Sequence, residues 1–219
     1  MTTIYSGKEI AAFIASEIGK WENLQRKTWL KDKTVVAFIG EFSAGKTSIV
    51  NRVFTQDKKD AAWTLPVDRS ATTAVATYIS YGNSPAAMFT DPKDELRELP
   101  KDVFLQFTKE SLDNISVSRL VSHFVTEYNA ENLRRMSILD TPGFSSGDKE
   151  DEQRTIAVIN EADVLFWVVD INAGEINTRS LAIIKKYVAG TPIYVVINKV
   201  DTKAPAERKK IEMKMRETL

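Results

Sequence analysis

The run GEFSAGKTS, Gly40 to Ser48, sets glycines on either side of Glu41, Phe42, Ser43 and Ala44 and follows them with Lys46, Thr47 and Ser48. An apolar run, TVVAFI, leads straight into it. A strand that stops at a glycine and restarts as a helix leaves unpaired backbone N–H groups at the helix start, where the dipole also favours anions. With no Cβ at Gly40 or Gly45 the loop can bend round a phosphate and turn its N–H groups inward. Lys46 supplies a point charge for the β- and γ-phosphates, and Thr47 a hydroxyl for Mg2+. The loop from Gly40 to Ser48 is therefore expected to cradle a polyphosphate.

Three further stretches agree with that chemistry. SILDTPGF ends an apolar run at Asp140, which can hold Mg2+ through water, with Gly143 offering an N–H to the γ-phosphate. VVINKVD ends another apolar run with Asn198, Lys199 and Asp201. A carboxylate can accept from both the ring N–H and the exocyclic amine of guanine, a donor pair that adenine lacks, so Asp201 is expected to read the base. Asn198 would brace the loop and the Lys199 stem would lie along the base. Between the glycine loop and Asp140, LPVDRSATTAVATYISYG carries Thr72 and Thr73, either of which could bind Mg2+ while the triphosphate is whole and release it on hydrolysis. Spacing does not choose between the two.

These residues need a scaffold that brings strand ends together. Strand-like runs fall at 34–39, 74–80, 86–90, 135–139, 164–169 and 193–197. Helical patterns fall at 46–55, 101–128 in two pieces, 149–161, 177–189 and 205–217. The alternation predicts an α/β fold of three layers, with a mostly parallel sheet covered by helices on both faces. YGNSP, Tyr81 to Pro85, reads as a turn joining an antiparallel pair. Ahead of the first strand, Ile10, Phe13, Ile14, Ile18, Trp21 and Leu24 form one helical stripe over 8–30. That helix is expected either to cover the core or to pack on a second domain or chain. His123, the sole histidine, sits among Leu120, Val121, Phe124, Val125 and Tyr128 at helical spacing and reads as structural.

Composition excludes several classes. Lys plus Arg and Asp plus Glu number 30 each, so the basic footprint of a nucleic-acid binder is absent. With no cysteine there are neither disulfides nor thiolate metal sites. No apolar run approaches bilayer length. The expected setting is cytoplasmic, peripheral at a membrane at most. The helix over 205–217 carries a thin stripe of Ile211, Met215 and Leu219, and the acidic run at 147–153 opens a helix; both read as solvated faces.

Taken in order, GEFSAGKTS, LPVDRSATTAVAT, DTPGF and NKVD resemble the GTPase domain of bacterial dynamin-like proteins across about 34–202. The resemblance implies a P-loop GTPase fold at 32–219 with an insertion at 82–135, truncated before its last strand. It also implies that residues 1–31 supply a helix of an adjoining bundle. It further implies GTP or GDP with Mg2+ as ligands, pairing of two copies through the nucleotide face, and membrane remodelling through a stalk beyond this chain. It favours Thr73 as the switch threonine and metal ligand beside Thr47 and Asp140. It gives Ser43 a place beside a monovalent cation, K+ or Na+, that offsets charge at the β/γ bridge. Dynamins proper carry glutamine where this chain has Phe42, which predicts slow turnover accelerated by self-association. A protein-recruiting switch and a poorly hydrolysing nucleotide-binding scaffold are the competing expectations.

Overall fold

The computed structural model describes residues 6–56, 64–65, 75–91, 95–106, 121–143, 156–157, 159–188 and 190–219. Its centre is β1, Thr34–Gly40, a run buried on both sides from Val35 onward. Alternate residues of such a strand face opposite ways. Val35, Ala37 and Ile39 join one apolar cluster, and Phe38 joins the other. A helix follows on each face. In α2, Lys46–Thr55, Val50 and Phe54 recur at i and i+4 and pack with Phe38, Ile138 and Val168.

The strands make one 8-stranded sheet in the order β4-β3-β5-β2-β6-β1-β7-β8. Its members are β2 Thr77–Tyr81, β3 Ala86–Thr90, β4 Leu96–Leu99, β5 His123–Tyr128, β6 Met136–Asp140, β7 Val164–Asp170 and β8 Ile193–Asn198. Pairs β1–β6, β1–β7 and β7–β8 are parallel, so the ends of these strands emerge together. Trp167 of β7 is 1% exposed at the centre of the first cluster. Beyond α3, Lys101–Gln106, come α4, Thr178–Tyr187, and α5, Pro205–Thr218. Ile183 and Ile184 of α4 and Met215 of α5 cover the face opposite α2.

The insertion departs from expectation. Helix was predicted through 128, yet 123–128 is strand β5, and His123 opens that strand. The spacing at 121, 124, 125 and 128 fits either a helix face or a strand buried on both sides. Phe124, Val125 and Thr126 are β-formers, and the sheet buries all three. His123 keeps a structural setting: its backbone N–H donates to Thr90 Oγ1 at 3.1 Å and its ring stands 5.4 Å from that of Tyr78.

Nor do β2 and β3 pair across YGNSP. β5 lies between them, parallel to β2 and antiparallel to β3. A strand apolar on both faces needs a neighbour on each edge, and this slot supplies them. Edge strand β4, exposed along most of its length, has too little apolar pattern to announce itself. The predicted helix at 149–161 and the acidic run at 147–153 lie largely outside the described residues.

Helix α1, Gly7–Arg26, ends earlier than predicted. Thr28–Leu30 form a 3-10 turn that buries Trp29 and Leu30. The α1 stripe does not cover the described core: Ile10, Phe13, Ile14 and Ile18 are all about half exposed or more. The side chains of Trp21 and Leu24 lie outside the description. Where α1 meets the body, Lys27 is 3% exposed. Its Nζ is 2.5 Å from Glu161 Oε1 and donates to the Tyr78 hydroxyl at 3.2 Å.

Candidate nucleotide-binding site

β1 hands the chain to the glycine loop, and α2 begins at Lys46 with Gly45 as its N-cap residue. Gly45 has φ +93°, and a Cβ there would lie 2.3 Å from Asn198 Nδ2. Backbone conformation and the Asn198 side chain thus both demand glycine. Lys46 is 6% exposed and its Nζ donates to the Gly40 and Glu41 carbonyls at 3.1 and 3.0 Å. Burial pushes its pKa down to about 8, opposed by the Asp140 and Glu41 carboxylates. An ammonium held this way, ringed by backbone, is set for an anion at the helix start.

Asp140 ends β6 beside Phe38 of β1. The Thr47 hydroxyl donates to Asp140 Oδ2 at 2.6 Å. Asp140 Oδ1 is buried with no hydrogen-bond partner among the described residues. Burial raises the carboxyl to about 6, against the pull of the Thr47 bond, the Lys46 charge and the Thr141 backbone. An orphaned carboxylate oxygen beside a hydroxyl, near a buried ammonium, is a hard-oxygen donor set that fits Mg2+. Thr141 Oγ1 donates to Phe38 O at 2.8 Å and fastens the following turn to β1. Gly143 then passes against the glycine loop so closely that a Cβ would fall 2.7 Å from Phe42 N.

The Asn-Lys-x-Asp turn docks on the same loop. Asn198 Nδ2 donates to Ala44 O at 2.9 Å. Lys199 Nζ donates to Ser43 O at 2.7 Å and to Asp170 Oδ2 at 2.7 Å. Asp201 follows in a 3-10 turn, Val200–Thr202, with an exposed side chain. Residues 40–48, 140–143 and 198–201 therefore share one edge of the sheet, at the carboxyl ends of its strands, where open α/β sheets bind ligands. Ser48 and Phe42 face outward, Phe42 being 43% exposed. Thr72 and Thr73 lie outside the described residues.

Two participants escaped the sequence reading. Asp170 ends β7 as Asp140 ends β6, and an aspartate closing a buried apolar run was the available signal. Ser180, 1% exposed near the start of α4, donates to Glu41 Oε1 at 3.3 Å and steadies the glycine loop from the other side. Its N–H and that of Arg179 are capped by the Asn177 side chain. No motif announced that contact.

A strand–loop–helix cradle with a carboxylate on the neighbouring strand and an Asn-Lys-x-Asp turn bonded to the loop defines a phosphate-loop nucleotide-binding domain. The sequence model of the Dynamin family matches residues 36–200, and the chain belongs to that family, carrying a dynamin-type GTPase domain. It is 26% identical over 184 residues to Dynamin-like protein A of Bacillus subtilis (strain 168), covering 81% of this chain and 14% of that one. GTPase Der of Chlorobium phaeobacteroides (strain BS1) is 34% identical over 77 residues, 32% of this chain and 18% of that protein.

Among solved structures, a chain of an oligomerised bacterial dynamin pair aligns over 100% of this chain and 37% of its own, with TM-score 0.60 and 19% identity. A second chain from the same description aligns over 86% and 29%, with TM-score 0.53 and 13% identity. That pair is described as providing a mechanism for the long-range sensing and tethering of membranes. These likenesses establish the three-layer fold. The chain spans a small fraction of its curated relatives and about a third of its structural ones.

Proposed function

We propose that this domain binds GTP with Mg2+ and hydrolyses it by in-line attack of water on the γ-phosphoryl group. The observation that carries the reading is the pair of bonds from Asn198 and Lys199 to the Ala44 and Ser43 carbonyls. They make the base-reading turn and the phosphate cradle one site rather than two. Lys46 and the loop N–H groups bind the phosphates, Gly143 abuts the loop beside them, and Asp201 accepts from guanine. Mg2+, held by Thr47, by Asp140 through water and by Thr73, would neutralise charge across the β- and γ-phosphates. Ser43, left-handed at φ +57°, would stand by a monovalent cation with the same effect. Little covalent chemistry falls to the protein in such a transfer; positioning and charge stabilisation carry it.

The relatives support a wider reading. Two copies pair through the nucleotide face, and the whole protein acts on membranes through parts outside this chain, residues 1–31 belonging to an adjoining helical bundle. No helix among the described residues is long and apolar enough to cross a membrane, which fits peripheral contact. Phe42, exposed where dynamins proper carry glutamine, favours a second reading: a switch or scaffold that binds nucleotide and turns it over very slowly. Phosphate release measured at rising protein concentration separates the two. A rate per molecule that climbs supports self-activated hydrolysis, and a flat, negligible rate supports the scaffold.

Calorimetry tests the site. Lys46→Ala is expected to abolish GDP and GTP binding; an unchanged affinity refutes the cradle. Asp201→Asn is expected to shift preference from GTP toward xanthosine triphosphate, whose 2-oxo group suits an amide donor. A preference that stays put refutes the base assignment.

A further inference from the structure

Asp201, the proposed guanine reader, is exposed and makes no side-chain hydrogen bond among the described residues, so nothing on Asp201 itself fixes its pose. The turn that carries it is gripped on both sides by one short segment at the end of β7. On one side, Asp170 Oδ2 accepts from Lys199 Nζ at 2.7 Å. On the other, the Thr202 hydroxyl shares its one proton between the Lys199 carbonyl at 2.6 Å, within the turn, and Asn172 Oδ1 at 3.0 Å. Asp170 and Asn198 face each other in the parallel β7–β8 register, so the segment and the turn leave the sheet side by side.

The segment is itself preset. Asp170 Oδ1 accepts from the Asn172 backbone N–H and from Asn172 Nδ2, each at 2.9 Å. That leaves Oδ2 for the lysine and fixes the Asn172 amide for Thr202. Burial pushes the Asp170 carboxyl up, but the bonds from Lys199 and Asn172 outweigh it and hold the group below its usual range. The carboxylate is therefore charged at neutral pH. Lys199 needs such a partner: it is non-glycine at φ +59°, and a long flexible stem bound only to the Ser43 carbonyl would be free to swing.

We propose that Asp170 is a positioning residue for base selectivity, holding Lys199 across the mouth of the phosphate loop and, with Asn172, setting the pose of Asp201. The inference rests on the nucleotide-binding reading given above and adds to it the residue that makes guanine recognition rigid. Asp170 contacts the base only through Lys199 and the turn. Its loss should therefore weaken discrimination as well as affinity, whereas a defect spread over the fold would weaken all nucleotides alike.

The test is calorimetry of this chain with GDP and IDP, the latter lacking the exocyclic amine that Asp201 is expected to bind. Asp170→Ala is expected to weaken GDP about ten-fold, the scale of one charge-assisted hydrogen bond, and to narrow the GDP-over-IDP preference. Asp170→Asn keeps the shape and one acceptor oxygen and is expected to fall between wild type and Asp170→Ala. It also carries the test if Asp170→Ala does not fold. In a Lys199→Met background, Asp170→Ala is expected to cost clearly less than it does alone, since the lysine contact is already gone and only the hold on Asn172 remains.

Wild-type affinity and preference in both Asp170 variants overturn the inference while leaving nucleotide binding intact. A full ten-fold loss in the Lys199→Met background overturns it too, showing that Asp170 acts elsewhere. A wild-type chain that binds no guanine nucleotide overturns both this inference and the function beneath it.

Discussion

Asp140 and Lys46 are held in the free protein under conditions that suit a ligand better than the fold. Each is buried and charged, and each has its pKa moved toward neutrality by that burial. For Asp140 the folded value of about 6 lies above the ordinary 3.8, so between those values the folded chain keeps a proton that the unfolded chain has released. Stability from this group is then fullest at low pH and declines as pH rises to about 6. The urea midpoint of nucleotide-free wild type is expected to fall across that window relative to Asp140→Asn, which has no titrating group there.

At Gly45 the demand is steric. Gly45→Ala puts a methyl on Asn198 Nδ2 and a side chain on a left-handed residue, which should lower stability by about 1–3 kcal/mol and GDP affinity together. Chemical denaturation and calorimetry read the two losses. The residues of this loop were readable in sequence because glycine, lysine and threonine at fixed spacing have few other uses. Asp170 was not, because its value depends on Lys199 reaching it across the β7–β8 register.

Among the elements, the exit of α1 is tied down by Lys27. Its ammonium and the Glu161 carboxylate meet beneath Tyr78, whose hydroxyl bonds both. Removing one partner of a shielded ion pair strands the other. Glu161→Ala is expected to destabilise by about 3 kcal/mol in a urea melt, and adding Lys27→Met should recover part of that loss by removing the stranded charge. A melt unmoved by Glu161→Ala would show that water reaches Lys27. Strand β5 shows the limit of pattern reading at this scale. Its apolar residues satisfied a helical template, and only the open slot between β2 and β3 made it a strand. By contrast β1, β6, β7 and β8 were recovered nearly to the residue, since short runs buried on both faces and cut by glycine, aspartate or asparagine leave little choice.

For the whole molecule, a ligand that binds only the folded state adds stability by mass action. GDP at 100 times its dissociation constant is expected to raise unfolding stability by about 2.7 kcal/mol in wild type and not in Lys46→Ala. Equal shifts in both would mean that the nucleotide binds away from the cradle. Size measurements with GDP, a GTP analogue and a transition-state mimic address pairing; a dimer confined to the last two supports contact through the nucleotide face. The exposed stripe of α1 at Ile10, Phe13, Ile14 and Ile18 should be followed in the same experiment, since its apolar face is uncovered among the described residues.

Local motifs were legible along the chain: a phosphate loop, an aspartate proposed for Mg2+ and a turn proposed to read the base each stand out by residue types at short spacing, because their backbone and donor requirements are met within a few residues. Which strands would be neighbours, where the insertion threads, and that Asp170 reaches Lys199 and Ser180 reaches Glu41 depended on packing. Those relations join residues far apart in the chain, and their energies exist only once the sheet has brought its strand ends to one edge.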